Sequence, residues 1–278
     1  MHDLGFGIDL DVSISQVSKV QMDRRELLRL LTLSSVSATF GIGVSSLKAA
    51  IASESGSEWG YVGEGSPENW GDLSSTYSAC KTGLQQSPIN LHSAIDANLK
   101  TVDVDYKSIP LTVLNNGHTI QVNATTGNKI RLDDKEFELL QFHFHYPSEH
   151  TVDDNPYPME MHFVNVNSTG ELAVLGVFLK EGLENIVLKP IWDEMPQCKG
   201  EPKEIFGTKV DIAKLLPSNR EIYRYFGSLT TPPCSEIVEW IVYQEPIEVS
   251  SAQIDQFKNI FPLNARPTQL LDRRFILE

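Results

Sequence analysis

The sequence predicts a single, mainly β domain, class α+β, on three observations. Short β-prone runs alternate with turn signals over most of the chain. Helical readings are confined to three short stretches, and no repeat, low-complexity tract or linker follows residue 60. With 278 residues, 41% of them hydrophobic, the chain can bury a sizeable core, which excludes disorder as its main state. The net charge of −14, from 23 basic and 37 acidic side chains, attracts neither phosphate backbones nor anionic lipid, so no nucleic-acid partner is expected.

In chain order, the first fifty residues differ from the rest. They contain no Trp and no Pro, and their only aromatics are Phe6 and Phe40. From Met22 the chain runs Asp23-Arg24-Arg25-Glu26-Leu27-Leu28-Arg29, then a mildly apolar stretch from Leu30 to Leu47, and ends near Ala50-Ile51-Ala52. That is the order of a cleaved export signal. Adjacent arginines before a weakly hydrophobic segment resemble a twin-arginine leader, with Sec export as the alternative. Residues 1–52 are therefore read as a leader and 53–278 as the domain. Residues 1–21 are superfluous ahead of a signal, which makes Met22 the expected start. Five basic and five acidic side chains cancel within the leader, so the exported protein carries the whole negative charge. No membrane partner is expected after the leader is removed, and the expected location is periplasmic or extracellular.

Residues 53–84 hold Trp59, Tyr61 and Trp70 among Gly and Ser and read as an aromatic-anchored loop region. Strands are expected over 101–106, 111–114, 118–124, 129–132, 137–146, 159–167, 172–180 and 237–243. A helix is expected over 182–195 and a short turn over 209–216. Ser251–Lys258 reads as a capped helix, with Ser250 or Ser251 as N-cap.

Chemistry concentrates on two of these strands, Gln141-Phe142-His143-Phe144-His145 and Glu160-Met161-His162. Residues two apart share a strand face, so His143 and His145 project together while Phe142 and Phe144 enter the opposite layer. If the two strands are neighbours, His162 completes a set of three imidazoles with Glu160 beside it. Three neutral imidazoles suit Zn²⁺ with its fourth position open to water. An H-x-H pair is ordinary in isolation. Here Gln141, Glu149, His150 and Glu160 are polar groups in or beside apolar segments, where hydrogen bonds to ligand imidazoles would satisfy them.

With these residues in view, the chain resembles an α-class carbonic anhydrase over most of residues 59–267. The matching blocks are Gln86-Ser87-Pro88-Ile89-Asn90, Asn115-Asn116-Gly117-His118, Gln141 to His145, Ser148-Glu149-His150-Thr151-Val152-Asp153, Glu160-Met161-His162 and Gly227-Ser228-Leu229-Thr230-Thr231-Pro232-Pro233. Cys234 after that last block, with Cys80 upstream, resembles the exported bacterial branch, in which these two cysteines are bridged. Cys198 is then a spare, solvent-facing thiol.

The resemblance implies a large, twisted, mostly antiparallel central sheet with short peripheral helices, and zinc at the base of a cone-shaped cleft. His143, His145 and His162 would be the ligands, with Gln141 and Glu160 orienting them. Thr230, donating to Glu149, would hold the zinc-bound hydroxide. His118 would carry protons to buffer, matching its unperturbed pKa near 6.5. Val164, Val174, Leu229, Val238 and Trp240 would form the wall that receives carbon dioxide, with Thr231 near the oxygens of bicarbonate. Tyr146 and Gln121 depart from commoner Trp and Asn. The implied activity is zinc-dependent reversible hydration of carbon dioxide by a monomer or dimer. The alternatives are a catalytically silent binding module of the same fold and a zinc esterase side activity.

Overall fold

The computed structural model of the protein describes residues 58–278. The leader over 1–52, its cleavage site and the start at Met22 lie outside those residues. The strands are β1 (Asn90–Leu91), β2 (Asp103–Asp105), β3 (Ser108–Asn115), β4 (Ile120–Asn123), β5 (Lys129–Leu132), β6 (Lys135–His145) and β7 (Thr151–Val152). After them come β8 (Asn155–Pro156), β9 (Met159–Val166), β10 (Leu172–Glu181), β11 (Lys203–Asp211), β12 (Ile222–Gly227), β13 (Val238–Tyr243) and β14 (Ile247–Val249). Among the described residues four short α-helices accompany them: α1 (Trp70–Leu73), α2 (Ala79–Thr82), α3 (Lys189–Asp193) and α4 (Ser251–Ile260).

Eleven strands form one sheet whose spine runs β11-β3-β4-β6-β9-β10-β13-β12. Its pairings are antiparallel except for β10 with β13 and with β14. β9 and most of β10 are buried on both faces; β10 runs apolar from Leu172 to Phe178, whereas β9 alternates apolar residues with the buried polar Glu160, His162 and Asn165. One face carries Phe142, Phe144, Met161, Phe163, Leu175 and Val177 into a core closed by Trp192 and Phe257. The other carries the histidines and a second cluster with Val164, Val174, Phe178, Val238 and Trp240. The period-2 reading of the histidine strands therefore holds.

Several elements differ from the sequence reading. The expected helix at 182–195 shrinks to α3. Asn185 Oδ1 accepts from the N–H groups of Val187 and Leu188, and such an Asx turn competes with helical bonding. The expected turn at 209–216 is the end of β11 followed by a 3₁₀ turn over Ile212–Leu215. β11 escaped notice because most of its residues are exposed, as befits an edge strand. β12 was missed despite its two tyrosines, and β14 is only three residues long. The 53–84 region, in its described part, contains α1, α2 and two 3₁₀ turns rather than continuous loop. α4 begins as expected at Ser250, whose Oγ accepts from Gln253 N–H while Gln253 Oε1 accepts from Ser250 N–H. Such a cap is worth about 1 kcal/mol. Among the described residues no helix is long and apolar enough to cross a membrane.

Candidate active site

Register brings the histidines together. His143 on β6 lies directly opposite His162 on β9, and His145 opposite Glu160. The next strand places Gly176 opposite His162 and Val174 opposite Val164. A Cβ at position 176 would stand 3.0 Å from Glu160 Oε1 and 3.3 Å from Val242, so a side chain here would press on the carboxylate that orients His162.

Each imidazole is oriented through one nitrogen. His143 Nδ1–H donates to Gln141 Oε1 at 2.9 Å. His145 Nδ1–H donates to the carbonyl of Asn264 at 2.7 Å, and His162 Nε2–H to Glu160 Oε1 at 2.9 Å. The remaining nitrogens, Nε2 of His143 and His145 and Nδ1 of His162, converge within 4.8 Å of one another. His145 Nε2 is buried without a hydrogen-bond partner. A buried imidazole nitrogen left as a bare acceptor is costly, and a divalent cation is the occupant that three converging imidazole lone pairs fit. The donor set suits zinc.

Glu160 anchors the set. Its Oε1 also accepts from His150 Nδ1–H at 2.7 Å, and its Oε2 from the backbone N–H groups of Glu149 and His150, both at 2.9 Å. Burial alone would raise its pKa, but His150, His162 and their hydrogen bonds hold it well below the ordinary value. Burial, reinforced by His145 and His162, pushes His143 well down. It also pushes His145 down against Glu149. At His162 the effect of burial is outweighed by Glu160 and Glu149, and the pKa rises. His150 makes no hydrogen bond to a ligand imidazole, contrary to expectation, although its ring meets that of His162 edge-on. It bridges Glu160 to the Tyr225 hydroxyl, 2.7 Å from its Nε2, because it sits one layer behind the ligands.

Glu149 is fixed by Arg266 N–H, which donates to Oε1 at 2.9 Å, while Oε2 is buried without a partner. Thr230 lines the cleft and is buried, but it makes no direct bond to Glu149. That is a correction: the expected donation from Thr230 to Glu149 is not made, and the hydrogen bond that Glu149 accepts comes from the 264–266 segment on its other side. Val164, Val174, Leu229, Thr230, Thr231 and Trp240 all line the cleft. Val238 does not. It is two residues before Trp240 on the same face of β13, farther along the strand, and packs inside the second core.

Cys80 and Cys234 form a disulfide, and Cys198 is free and exposed. Cys234 N–H donates to Thr231 O at 2.9 Å, tying the bridge to the cleft wall. The buried Arg266 guanidinium donates to the carbonyls of Cys80 and Ser87 and to Gln86 Oε1. Asn264, Tyr225 and Arg266 were not singled out from sequence. Asn264 acts through a backbone carbonyl 119 residues from His145, which leaves no side-chain signature.

At the rim, Asn116 Oδ1 accepts from the N–H groups of His118 and Thr119, and Gly117 takes φ +92° to complete the turn. The His118 ring stacks on Trp59, 3.6 Å between centroids and 7° between planes. Burial, reinforced by Lys199 and opposed by Glu58, pushes its pKa down to about 4, not the 6.5 of a free imidazole.

Comparison with known proteins gives consistent findings. The family model described as eukaryotic-type carbonic anhydrase matches residues 65–277. A protein from Nostoc named carbonic anhydrase is 43% identical over 260 residues, covering 92% of this chain and 97% of that one. One of the same name from Klebsiella pneumoniae is 44% identical over 225 residues, 80% of this chain and 91% of that one. The solved α-carbonic anhydrase of Thermovibrio ammonificans, in complex with the inhibitor sulfanilamide, superposes with a TM-score of 0.77 at 48% identity. It covers 80% of this chain and 99% of its own.

Proposed function

The chain belongs to the eukaryotic-type, α-class carbonic anhydrase family and catalyses reversible hydration of carbon dioxide to bicarbonate and a proton; from that premise we propose how its own residues divide the work. The family is zinc-dependent, and His143, His145 and His162 would hold the ion. The observation that carries this assignment is the convergence of three imidazole nitrogens whose ring partners are already bonded to Gln141, Asn264 and Glu160. Zinc held by neutral imidazoles lowers the pKa of a bound water from 15.7 to about 7, a value established on carbonic anhydrases themselves.

The remaining roles fall to the cleft. Thr230, on the cleft wall, orients the attacking oxygen through its hydroxyl. Val164, Val174, Leu229 and Trp240 receive carbon dioxide by apolar contact alone, which suits an uncharged substrate that must bind weakly and leave fast. Thr231 sits where product oxygens can be met. His118 passes the proton to buffer, doing so after leaving the stack on Trp59, where it holds a proton poorly. The disulfide supports the reading of residues 1–52 as an export leader and of the domain as periplasmic or extracellular.

Zinc analysis with a pH-indicator hydration assay tests the site. One zinc per chain is expected, with activity lost on chelation and restored by zinc. Full activity in zinc-free protein would overturn the assignment. Amino-terminal sequencing of exported protein should begin at residue 53; an intact leader on cytoplasmic protein would overturn export.

A further inference from the structure

Residues 264–266 belong to no helix or strand, yet two of their backbone groups aim the site. The carbonyl of Asn264 orients His145, and the N–H of Arg266 orients Glu149. No ladder fixes this strap, so side chains must. Asn264 secures one end: its N–H donates to Tyr146 O at 3.0 Å, its Oδ1 accepts from Tyr146 N–H at 2.7 Å, and its Nδ2–H donates to Phe144 O at 2.9 Å. Ala265 contributes only a buried methyl group. The other end is held by the Arg266 guanidinium.

Arg266 is 2% exposed. Its Nη1 donates to Gln86 Oε1 at 2.9 Å and to Ser87 O at 2.8 Å, its Nη2 to Cys80 O at 3.0 Å, and its Cζ lies 5.5 Å from the centroid of the Trp70 ring. All three acceptors are uncharged, and among the described residues no carboxylate bonds the guanidinium. Burial pushes its pKa down to about 10, opposed by Glu149 and Tyr61, so the group is charged at neutral pH. A buried cation without a bonded carboxylate is a costly component of a fold, and local rules are broken most often where function needs it. The two segments it holds also lead to the opposite wall of the cleft. Ser87 N–H donates at 2.9 Å to Ser228 Oγ, on the segment that continues to Thr230, and Cys80 is bridged to Cys234, whose N–H bonds to Thr231 O.

We propose that Arg266 is a positioning residue of the metal centre: by gripping Cys80, Gln86 and Ser87 it fixes the backbone of residues 264–266, and through it the directions of His145 and Glu149. The inference rests on the reading of His145 as a metal ligand, although the hydrogen bond from strap to ring can be tested apart from the metal. A planar fork that meets oxygens on two separate segments at once fixes position as a flexible ammonium cannot. The role makes a specific demand. His145 depends on the strap, whereas His143 takes its direction from Gln141 within its own strand. Loosening the strap therefore disturbs one ligand selectively, while a general loss of stability singles out neither.

Arg266→Lys keeps the charge and loses the fork, and Arg224→Lys is the control. Arg224 likewise makes three guanidinium bonds, to Asp133 and Glu239, but holds no part of the site. Two quantities are read in the full chain: the Nδ1–H proton signals of His143 and His145 by NMR in zinc-free protein, and the rate of zinc loss to a chelator in zinc-loaded protein. In Arg266→Lys the His145 signal is expected to shift several times more than that of His143, and zinc to leave about tenfold faster. In Arg224→Lys neither changes. Gln86→Met, which removes one of the three acceptors, should give the same pattern at smaller size, and it decides alone if Arg266→Lys does not fold. Equal shifts at both rings, no shift at either, or zinc loss no faster in Arg266→Lys than in Arg224→Lys overturns the proposal. A selective His145 shift in a chain that binds no zinc even as wild type supports the strap and overturns the ligand reading instead.

Discussion

The floor and the rim of the cleft are built on different physics. On the floor, His143, His145 and His162 stand on central strands whose pairing runs unbroken from Gln141 to His145 on β6 and from Met159 to Val166 on β9. Each ring is aimed by a separate partner, and Glu160 alone accepts four hydrogen bonds. At the rim, His118 sits on a four-residue turn at the cleft mouth, its ring stacked on Trp59. Groups that must present fixed lone pairs occupy positions the backbone over-determines, whereas the group that must move a proton occupies one where rotation is cheap.

The contrast can be broken most severely on the floor. His143→Ala removes one of three converging nitrogens, and hydratase activity is expected to fall at least about a thousandfold with loss of zinc from the protein. Metal content measured beside turnover checks this; full zinc occupancy with wild-type rate would show that the ligand set is wrong. The disulfide comes next. It closes a sequence separation of 154 residues, and in the chain-entropy model its loss costs about 5 kcal/mol of stability. Denaturant unfolding of a Cys80→Ser, Cys234→Ser double variant measures that loss. Because Cys234 N–H bonds to Thr231 O, turnover should also fall in the variant while it is still folded. Smaller again is Glu160→Gln, which keeps the shape and removes the charge that His150 and His162 share. Zinc affinity should drop about 10- to 100-fold, and competition with a chelator reads it directly.

How much of this was legible in the sequence follows the same division. His143, His145, His162, Gln141 and Glu160 could be read because period-2 alternation in a strand converts sequence spacing into a shared face. The sheet's central strands were legible for the same reason. Asn264 and Arg266 could not be found that way, since one orients His145 through its carbonyl and the other fixes Glu149 through its N–H, and a backbone group is present at every position. Val238 was misplaced because period 2 gives the face of β13 but not how far along the strand the cleft extends. The edge strand β11 lacks apolar alternation because little of it faces a core. The low pKa of His118 arises from burial of its ring, reinforced by Lys199, 81 residues away, so only the folded chain shows it.

The mildest expected effect belongs to the rim. His118→Ala should slow turnover about tenfold in dilute buffer and leave zinc content and carbon dioxide chemistry nearly intact, because His118 is not one of the three converging histidines. Imidazole added to the assay should restore the rate, since a small diffusible base of pKa near 7 can replace a tethered one wherever the cleft admits solvent. The pH dependence sharpens the comparison. A ring parked on Trp59 stays uncharged down to about pH 4, so a carrier that worked from that position would give a dilute-buffer profile without an inflection near 6.5. An inflection near 6.5 that disappears in His118→Ala identifies the ring turned away from Trp59 as the working form. Equal loss of hydration and of equilibrium isotope exchange, with no rescue by imidazole, would instead assign His118 to holding the rim together, and the division between a fixed floor and a mobile rim would fail at its central residue.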